Sequence, residues 1–170
     1  YEICACLVGS EMCIRDRRKS VRQEYALRAG ADILLEPGKD DVVAEIYRLT
    51  GGVGADIAFE TTGSEQCLLL LLESIKAAGT LVVTSIWEGP VTLHPNLLVM
   101  KERQMVGSIC YCGDFPKVIE LLDSGRIPAE GYVTKKICLE DVVKEGFASL
   151  TGPEKKSQVK ILVTPDCNLL

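Results

Sequence analysis

Short, nearly uninterrupted apolar runs alternate with stretches of helical periodicity, and this alternation constrains the fold more than any other feature of the chain. Asp32 to Leu35, Asp56 to Phe59 and Thr80 to Ile86 are the apolar runs. Strands this apolar on both sides suit a parallel sheet covered on both faces. Between them, Asp40 to Leu49 places Val42, Val43, Ile46 and Leu49 at helical spacing. Val21 to Arg28 reads as the end of a helix closed by Gly30. Ser64 is placed to cap an apolar helix that ends near Ala78. The expected fold class is α/β, with residues up to about Ile109 in a doubly wound sheet.

The rest of the chain is less regular. Val91 to Leu93 reads as a short strand, Asn96 to Lys101 as a helix and Gln104 to Ile109 as a strand. Asp114 is expected to cap a helix through Leu122 that Gly125 ends. A strand over Val133 to Cys138, a helix over Glu140 to Leu150 and a strand over Val159 to Val163 follow, and Pro165 to Leu170 reads as a frayed tail.

The N-terminal segment stands apart. Read back into codons, Leu7 to Asp16 fits CTC-GTG-GGC-TCG-GAG-ATG-TGT-ATA-AGA-GAC, and Tyr1 to Ile3 fits TAC-GAG-ATN. These strings resemble a transposase-type sequencing-library adapter. Residues 1–17 are therefore expected to be a non-native leader, with natural sequence from about Arg18; the alternative is a natural cysteine-bearing leader. Such segments are set aside before the fold is considered. That leaves 153 residues, about one domain's worth.

Composition narrows the function. The net charge is −5; residues 1–17 carry three acidic and two basic groups, so −4 remains without them. A mildly acidic chain without a basic cluster does not suit nucleic acid. No apolar run reaches the roughly 18 residues a membrane helix needs, so no membrane partner is expected and the protein reads as cytoplasmic. Of eight cysteines, five lie beyond the leader, at Cys67, Cys110, Cys112, Cys138 and Cys167, with no CxxC pair. They read as reduced, small hydrophobic residues. Cys110 and Cys112 alternate as strand residues would. No set of ligands has credible spacing for zinc.

Several blocks then read together in order and spacing. They are Arg22…Gly30-Ala31-Asp32, Leu49-Thr50-Gly51-Gly52-Val53-Gly54-Ala55-Asp56, Phe59-Glu60…Gly63, Gly79-Thr80-Leu81-Val82-Val83, Glu102…Gly107-Ser108, Gly125-Arg126-Ile127, Glu145-Gly146-Phe147 and Val159-Lys160-Ile161-Leu162-Val163. In this pattern the chain resembles the C-terminal half of a medium-chain zinc-type alcohol dehydrogenase, of the butanediol, sorbitol and threonine dehydrogenase branch. The resemblance implies an incomplete Rossmann sheet over 18–110 and, over 111–170, the return segment of a GroES-like catalytic domain and a tail. It implies a parent enzyme that passes hydride between a secondary alcohol or diol and NAD or NADP, assisted by zinc. The small-molecule alcohol and its ketone would be its partners, together with further copies of itself in a dimer or tetramer. A zinc-free quinone or enoyl reductase of the same superfamily, and a non-catalytic nucleotide-binding module, are the alternatives.

The resemblance also assigns residues. Thr61 and Thr62 would sit beside the adenine and its ribose, and Thr84, Ser85 and Ile86 near the nicotinamide. Ser108, Ile109 and Cys110 would hold the carboxamide, Arg22 would lie by the ribose and Lys160 would reach the pyrophosphate. For Ile86 and Ile109 core packing is an equal reading, and for Arg22 a solvated helix face. The family's glycine motif and zinc ligands have no counterpart here, so no catalytic or metal residue is expected and the fragment alone should be inactive. Counting back five positions from Arg22 puts the family's ribose-binding acid at Arg17, at the leader junction. Arg17, Arg18 and Lys19 are thus weak grounds for a 2′-phosphate preference.

Three features admit plainer readings. Thr50-Gly51-Gly52-Val53-Gly54 follows a helix and precedes a strand, the reverse of a phosphate loop, and is expected to be a tight connection. His94 reads as a surface residue. Glu60 is placed to order neighbouring loop amides, and Trp87 to line the substrate cleft or, equally, to pack in the core or at the rim. Losing the first two strands of a 3-2-1-4-5-6 sheet removes its centre. The strand at Asp32 to Leu35 should then lack a neighbour, and the next should expose an apolar edge.

Overall fold

The computed structural model describes residues 5–7, 21–128 and 130–169. The remainder of the expected leader, with Arg17, Arg18 and Lys19, lies outside the described residues. Two compact units divide the described chain: β1 with residues 32–112, and residues 21–31 with 113–169.

In the first unit, β1 (Ala5–Leu7) pairs in parallel with β2 (Ile33–Leu35). This corrects the expectation that β2 lacks a neighbour. An open strand edge offers unpaired N–H and C=O groups to any extended segment within reach, and here residues 5–7 take it. Helix α2 (Val42–Leu49) starts at Asp41, whose carboxylate accepts from the Ala44 amide at 3.1 Å. Its Val42 and Ile46 bury against Leu35.

Thr50 ends α2, donating from Oγ1 to the Ile46 carbonyl (2.7 Å) and accepting from the Gly54 amide (2.8 Å). The glycine cluster is therefore the tight connection into β3 (Ala55–Glu60) that its position implies. At Gly54, φ is +100° and a Cβ would stand 2.9 Å from the Lys76 amide nitrogen, so only glycine fits.

Helix α3 (Glu65–Ser74) gives way at once to β4 (Ile75–Val83). It ends four residues earlier than the periodicity suggests. Arg103, itself buried, explains the stop. Its Nη2 donates to the carbonyls of Glu73 (3.0 Å) and Ile75 (2.6 Å), and Nη1 to that of Leu97 (3.3 Å). A cation on the final carbonyls both caps a helix and meets its negative end. Ile75 then turns extended and is fully buried. The Ser64 side chain makes no capping bond.

Helix α4 (Asn96–Val99) leads into β5 (Gln104–Gly107), and the sheet order is β3-β4-β5, all parallel. Ala58 and Leu81 pack on α3 through Leu68, Leu71 and Leu72. The opposite face of β3 is bare: Ile57 is 56% and Phe59 62% exposed. Among the described residues the sheet is thus not covered on both faces, and β3 shows the apolar exposure expected of it. Val91 to Leu93 form no strand; Val91 and Leu93 pack on the core as irregular chain, between Pro90 and Pro95, which cannot donate to a ladder. Cys110 has φ +59° and lies beyond β5, so Cys110 and Cys112 do not alternate on a strand.

In the second unit, α1 (Val21–Arg28) ends before Gly30, and α5 (Phe115–Asp123) carries no side-chain cap from Asp114. Strand β6 (Val133–Cys138) pairs in parallel with β7 (Lys160–Thr164). The expected helix between them is a 3-10 turn (Leu139–Asp141), a wider π turn (Val142–Phe147) and a short helix α6 (Ala148–Thr151). Gly146, with no side chain, brings the π turn against Ile137. The expected fraying of the tail does not hold through Leu169. Its last turn, Cys167–Leu169, carries a disulfide from Cys167 to Cys138, which corrects the reading of those two cysteines as reduced. Cys67, buried, and Cys110 and Cys112, exposed, are outside any disulfide.

Candidate coenzyme wall

The carboxyl ends of parallel strands are where such sheets bind ligands, because the loops diverge there and leave backbone groups unspent. In the first unit the loop Thr61 to Ser64 leaves β3, and Thr84 to Trp87 leaves β4. Glu60 joins them. Its carboxylate is fully buried. Oε1 accepts from the Thr62 amide (2.7 Å), the Thr62 hydroxyl (2.5 Å) and the Gly63 amide (3.0 Å), while Oε2 accepts from the Ser85 hydroxyl. Its backbone carbonyl accepts from Thr84 N (2.9 Å) and Thr84 Oγ1 (3.1 Å).

A carboxylate removed from water needs such compensation. Burial alone would push the Glu60 carboxyl up; the Ser85 and Thr62 hydroxyls and the amides of Thr62 and Gly63 outweigh it and hold it below the ordinary glutamate range. The charge therefore acts as a clasp between two loops. Gly63 completes the joint: its φ is +70°, and a Cβ there would stand 3.1 Å from the Ile86 carbonyl oxygen.

Beside this clasp is a cleft of about 300 Å³, lined by Thr62, Gly63, Glu65, Ile86, Trp87 and Glu88 among others. Ile86 is 81% exposed, so it is wall and not core. Trp87 does both things expected of it, packing on the core while lining the cleft. Glu65 and Glu88 are the ionisable groups of the lining, and no cation joins them. The cleft suits a neutral or cationic ring better than a phosphate.

The other expected residues fall as follows. Thr61 is exposed on the loop after β3. Ser108 donates its amide to the Val83 carbonyl (2.9 Å), extending the ladder past β5; Ile109, 74% exposed, and Cys110 follow it and are not core either. Arg22 and Lys160 belong to the second unit. Arg22 Nε donates to the Gln158 carbonyl (3.3 Å), so it is neither a purely solvated face nor committed to a ligand, and Lys160 is exposed at the start of β7. His94 is exposed and its Nδ1 accepts from the Asn96 amide at 3.2 Å, which leaves it a local turn-former. Arg103 escaped sequence reasoning because nothing in Lys101-Glu102-Arg103 marks which of the three charges turns inward.

Among the described residues, one set of potential metal ligands converges, Cys138, Glu140 and Cys167, although the expectation was of none. Its two sulfurs are bonded to each other. No helix among the described residues is long and apolar enough to cross a membrane.

Comparison with known proteins adds the lineage. Residues 8–124 match the family model described as zinc-binding dehydrogenase. The chain is 48% identical over 146 residues to the (R,R)-butanediol dehydrogenase of Bacillus subtilis (strain 168), covering 85% of this chain and 41% of that one. It is 40% identical over 159 residues to the (R,R)-butanediol dehydrogenase of Neisseria gonorrhoeae (strain ATCC 700825 / FA 1090), covering 93% and 44%. The crystal structure of 2R,3R-butanediol dehydrogenase from Bacillus subtilis superposes with a TM-score of 0.78 at 47% identity, over 86% of this chain and 41% of that one. The chain thus spans less than half the length of the curated relatives it matches.

Proposed function

The chain belongs to the zinc-binding dehydrogenase family, and from that premise we propose that it is a C-terminal portion of an oxidoreductase transferring hydride between a butanediol-like secondary alcohol or diol and NAD(P). The observation that carries this reading is the clasp: a buried carboxylate binding two loops together at the carboxyl ends of adjacent parallel strands, next to a cleft. Loops so fixed present a preorganised wall, which lowers the ordering cost of binding.

On this reading Thr61 and Thr62 face the adenosine part, and Thr84, Ser85 and Ile86 the nicotinamide. Ser108, Ile109 and Cys110 present backbone groups to the carboxamide. The acidic lining of the cleft supports a nicotinamide ring, which is cationic in the oxidised coenzyme, over the pyrophosphate. Arg22 and Lys160 rest on the family pattern alone, for ribose and pyrophosphate respectively. The nicotinamide coenzyme supplies the hydride acceptor when bound; this chain's part is to position it and exclude water from one side of it. Zinc, on the same reading, is held by residues of the complete protein outside this chain. Residues 1–17 are a non-native leader, 18–110 belong to the coenzyme domain and 111–170 to the return segment. A cytoplasmic dimer or tetramer is the proposed whole.

The test begins with the gene. DNA upstream of the codon for Arg18 is read from untagmented template, and the complete protein is assayed for NAD- and NADP-dependent oxidation of (R,R)-butanediol with and without a zinc chelator. A glycine motif and ligand-bearing domain upstream, with chelator-sensitive turnover, support the proposal. An open reading frame that ends upstream without them, or no turnover of any secondary alcohol, overturns it.

A further inference from the structure

Cys138 closes β6, and the register pairs it with Thr164 at the end of β7. Three residues further on, the chain folds back. Thr164 Oγ1 accepts from the Asp166 amide (3.2 Å), and Asp166 Oδ1 accepts from the Asn168 amide (2.9 Å). This turn sets Cys167 beside Cys138 with their Cα atoms 5.3 Å apart, inside the range a disulfide spans. The pairing is therefore a consequence of strand register and turn, not of chance proximity of two loose thiols. The two cysteines also differ in access: Cys167 is exposed and Cys138 half-buried. The Glu140 carboxylate stands 3.7 Å from the Cys167 sulfur.

We propose that Cys138 and Cys167 are a reversible two-cysteine modification site that takes a small disulfide of the glutathione class. The Cys167 thiolate attacks one sulfur of that disulfide and releases one small thiol, leaving a mixed disulfide on Cys167. The Cys138 thiolate then attacks the Cys167 sulfur and releases the second small thiol. Two protein thiols lose two protons and two electrons, and the small disulfide gains both. Exposure assigns the first step to Cys167, since exchange needs an accessible thiolate. The product fastens the last turn of the chain to the end of β6. In a reducing compartment such a bond is transient and reports redox state, while an oxidising one keeps it closed. The site is independent of the dehydrogenase reading.

The full chain, equilibrated in buffers of graded reduced and oxidised glutathione, is alkylated, digested and mapped by mass. The expected result is a cross-linked peptide joining Cys138 to Cys167 at the oxidised end, formed equally at low and high protein concentration, and both thiols alkylated at the reduced end. In Cys138→Ser, Cys167 should accumulate a stable glutathione adduct, because the resolving thiol is gone. In Cys167→Ser, Cys138 should acquire that adduct about tenfold more slowly, as access requires local opening. Cys167 pairing with Cys110 or Cys112, or both thiols remaining alkylatable throughout, overturns the proposal. So does protection of both by zinc, reversed by a chelator, with no cross-linked peptide; that outcome makes Cys138, Glu140 and Cys167 a metal site.

Discussion

The Glu60 clasp makes a testable link between one charge and two loops. Glu60→Gln keeps the shape but turns one acceptor oxygen into an NH₂ group facing donors. Hydrogen bonds to a charged acceptor are worth about 1.5–3 kcal/mol net, so a loss of about 1–3 kcal/mol is expected in denaturant unfolding at neutral pH. The sign with pH follows from linkage. The folded-state carboxyl titrates below its unfolded value, so its contribution is complete above the unfolded value and is lost as pH falls through the folded one. The gap between wild type and Glu60→Gln should therefore shrink in acid; a gap constant with pH would mean the clasp is not charged. Arg103 is the second such residue. Arg103→Met removes donors from the carbonyls of Glu73, Ile75 and Leu97, and about 2–4 kcal/mol should be lost. An unchanged denaturation midpoint would exclude this role. Glu60 was legible in the sequence, as an acid ending an apolar strand before Thr-Thr-Gly. Arg103 was not, because which of several neighbouring charges turns inward depends on a helix end 28 residues back along the chain.

Elements were legible where periodicity and tertiary packing agree, as in α1, α2, β3 and β6. They diverge where packing overrides local pattern. Helix α3 yields to β4 at Ile75 because burial of that residue and the Arg103 bonds outweigh about one more helical turn of apolar pattern toward Ala78. Val91 to Leu93 has strand-like residues but no ladder to join. The pairing of β1 with β2 was beyond sequence reading altogether, since a parallel pair carries no local signal. It also gives an element-scale prediction. A variant lacking residues 1–17 should lose amide-exchange protection at Ile33–Leu35 while keeping it in β3 and β4, because β1 is the neighbour recorded for β2. Protection of Ile33–Leu35 that survives the deletion would show that residues 5–7 do not hold that edge.

At the scale of the whole molecule, the exposed apolar face of β3 governs how the chain should behave in solution. Ile57 and Phe59 leave one face of β3 apolar and exposed, and among the described residues β3 has a hydrogen-bonded neighbour on one side, β4. Isolated exposed hydrophobic residues are ordinary, but a contiguous apolar strand face with an open backbone edge is a template for association. In a parallel α/β sheet each inner strand is buried by neighbours on both edges and both faces, and β3 carries the apolar residues of such a strand with Ile57 and Phe59 exposed. The purified chain should therefore scatter light increasingly with concentration and bind a hydrophobic dye while still giving native-like far-ultraviolet circular dichroism. Ile57→Thr with Phe59→Thr should lower both signals and leave the Glu60 clasp intact, because residues 57 and 59 point to the face opposite Ala58 and Glu60. A monodisperse wild-type chain with a cooperative melt, or a double variant that scatters as strongly as wild type, would place the association surface elsewhere, with the exposed Met105 and Val106 of β5 the next to be substituted.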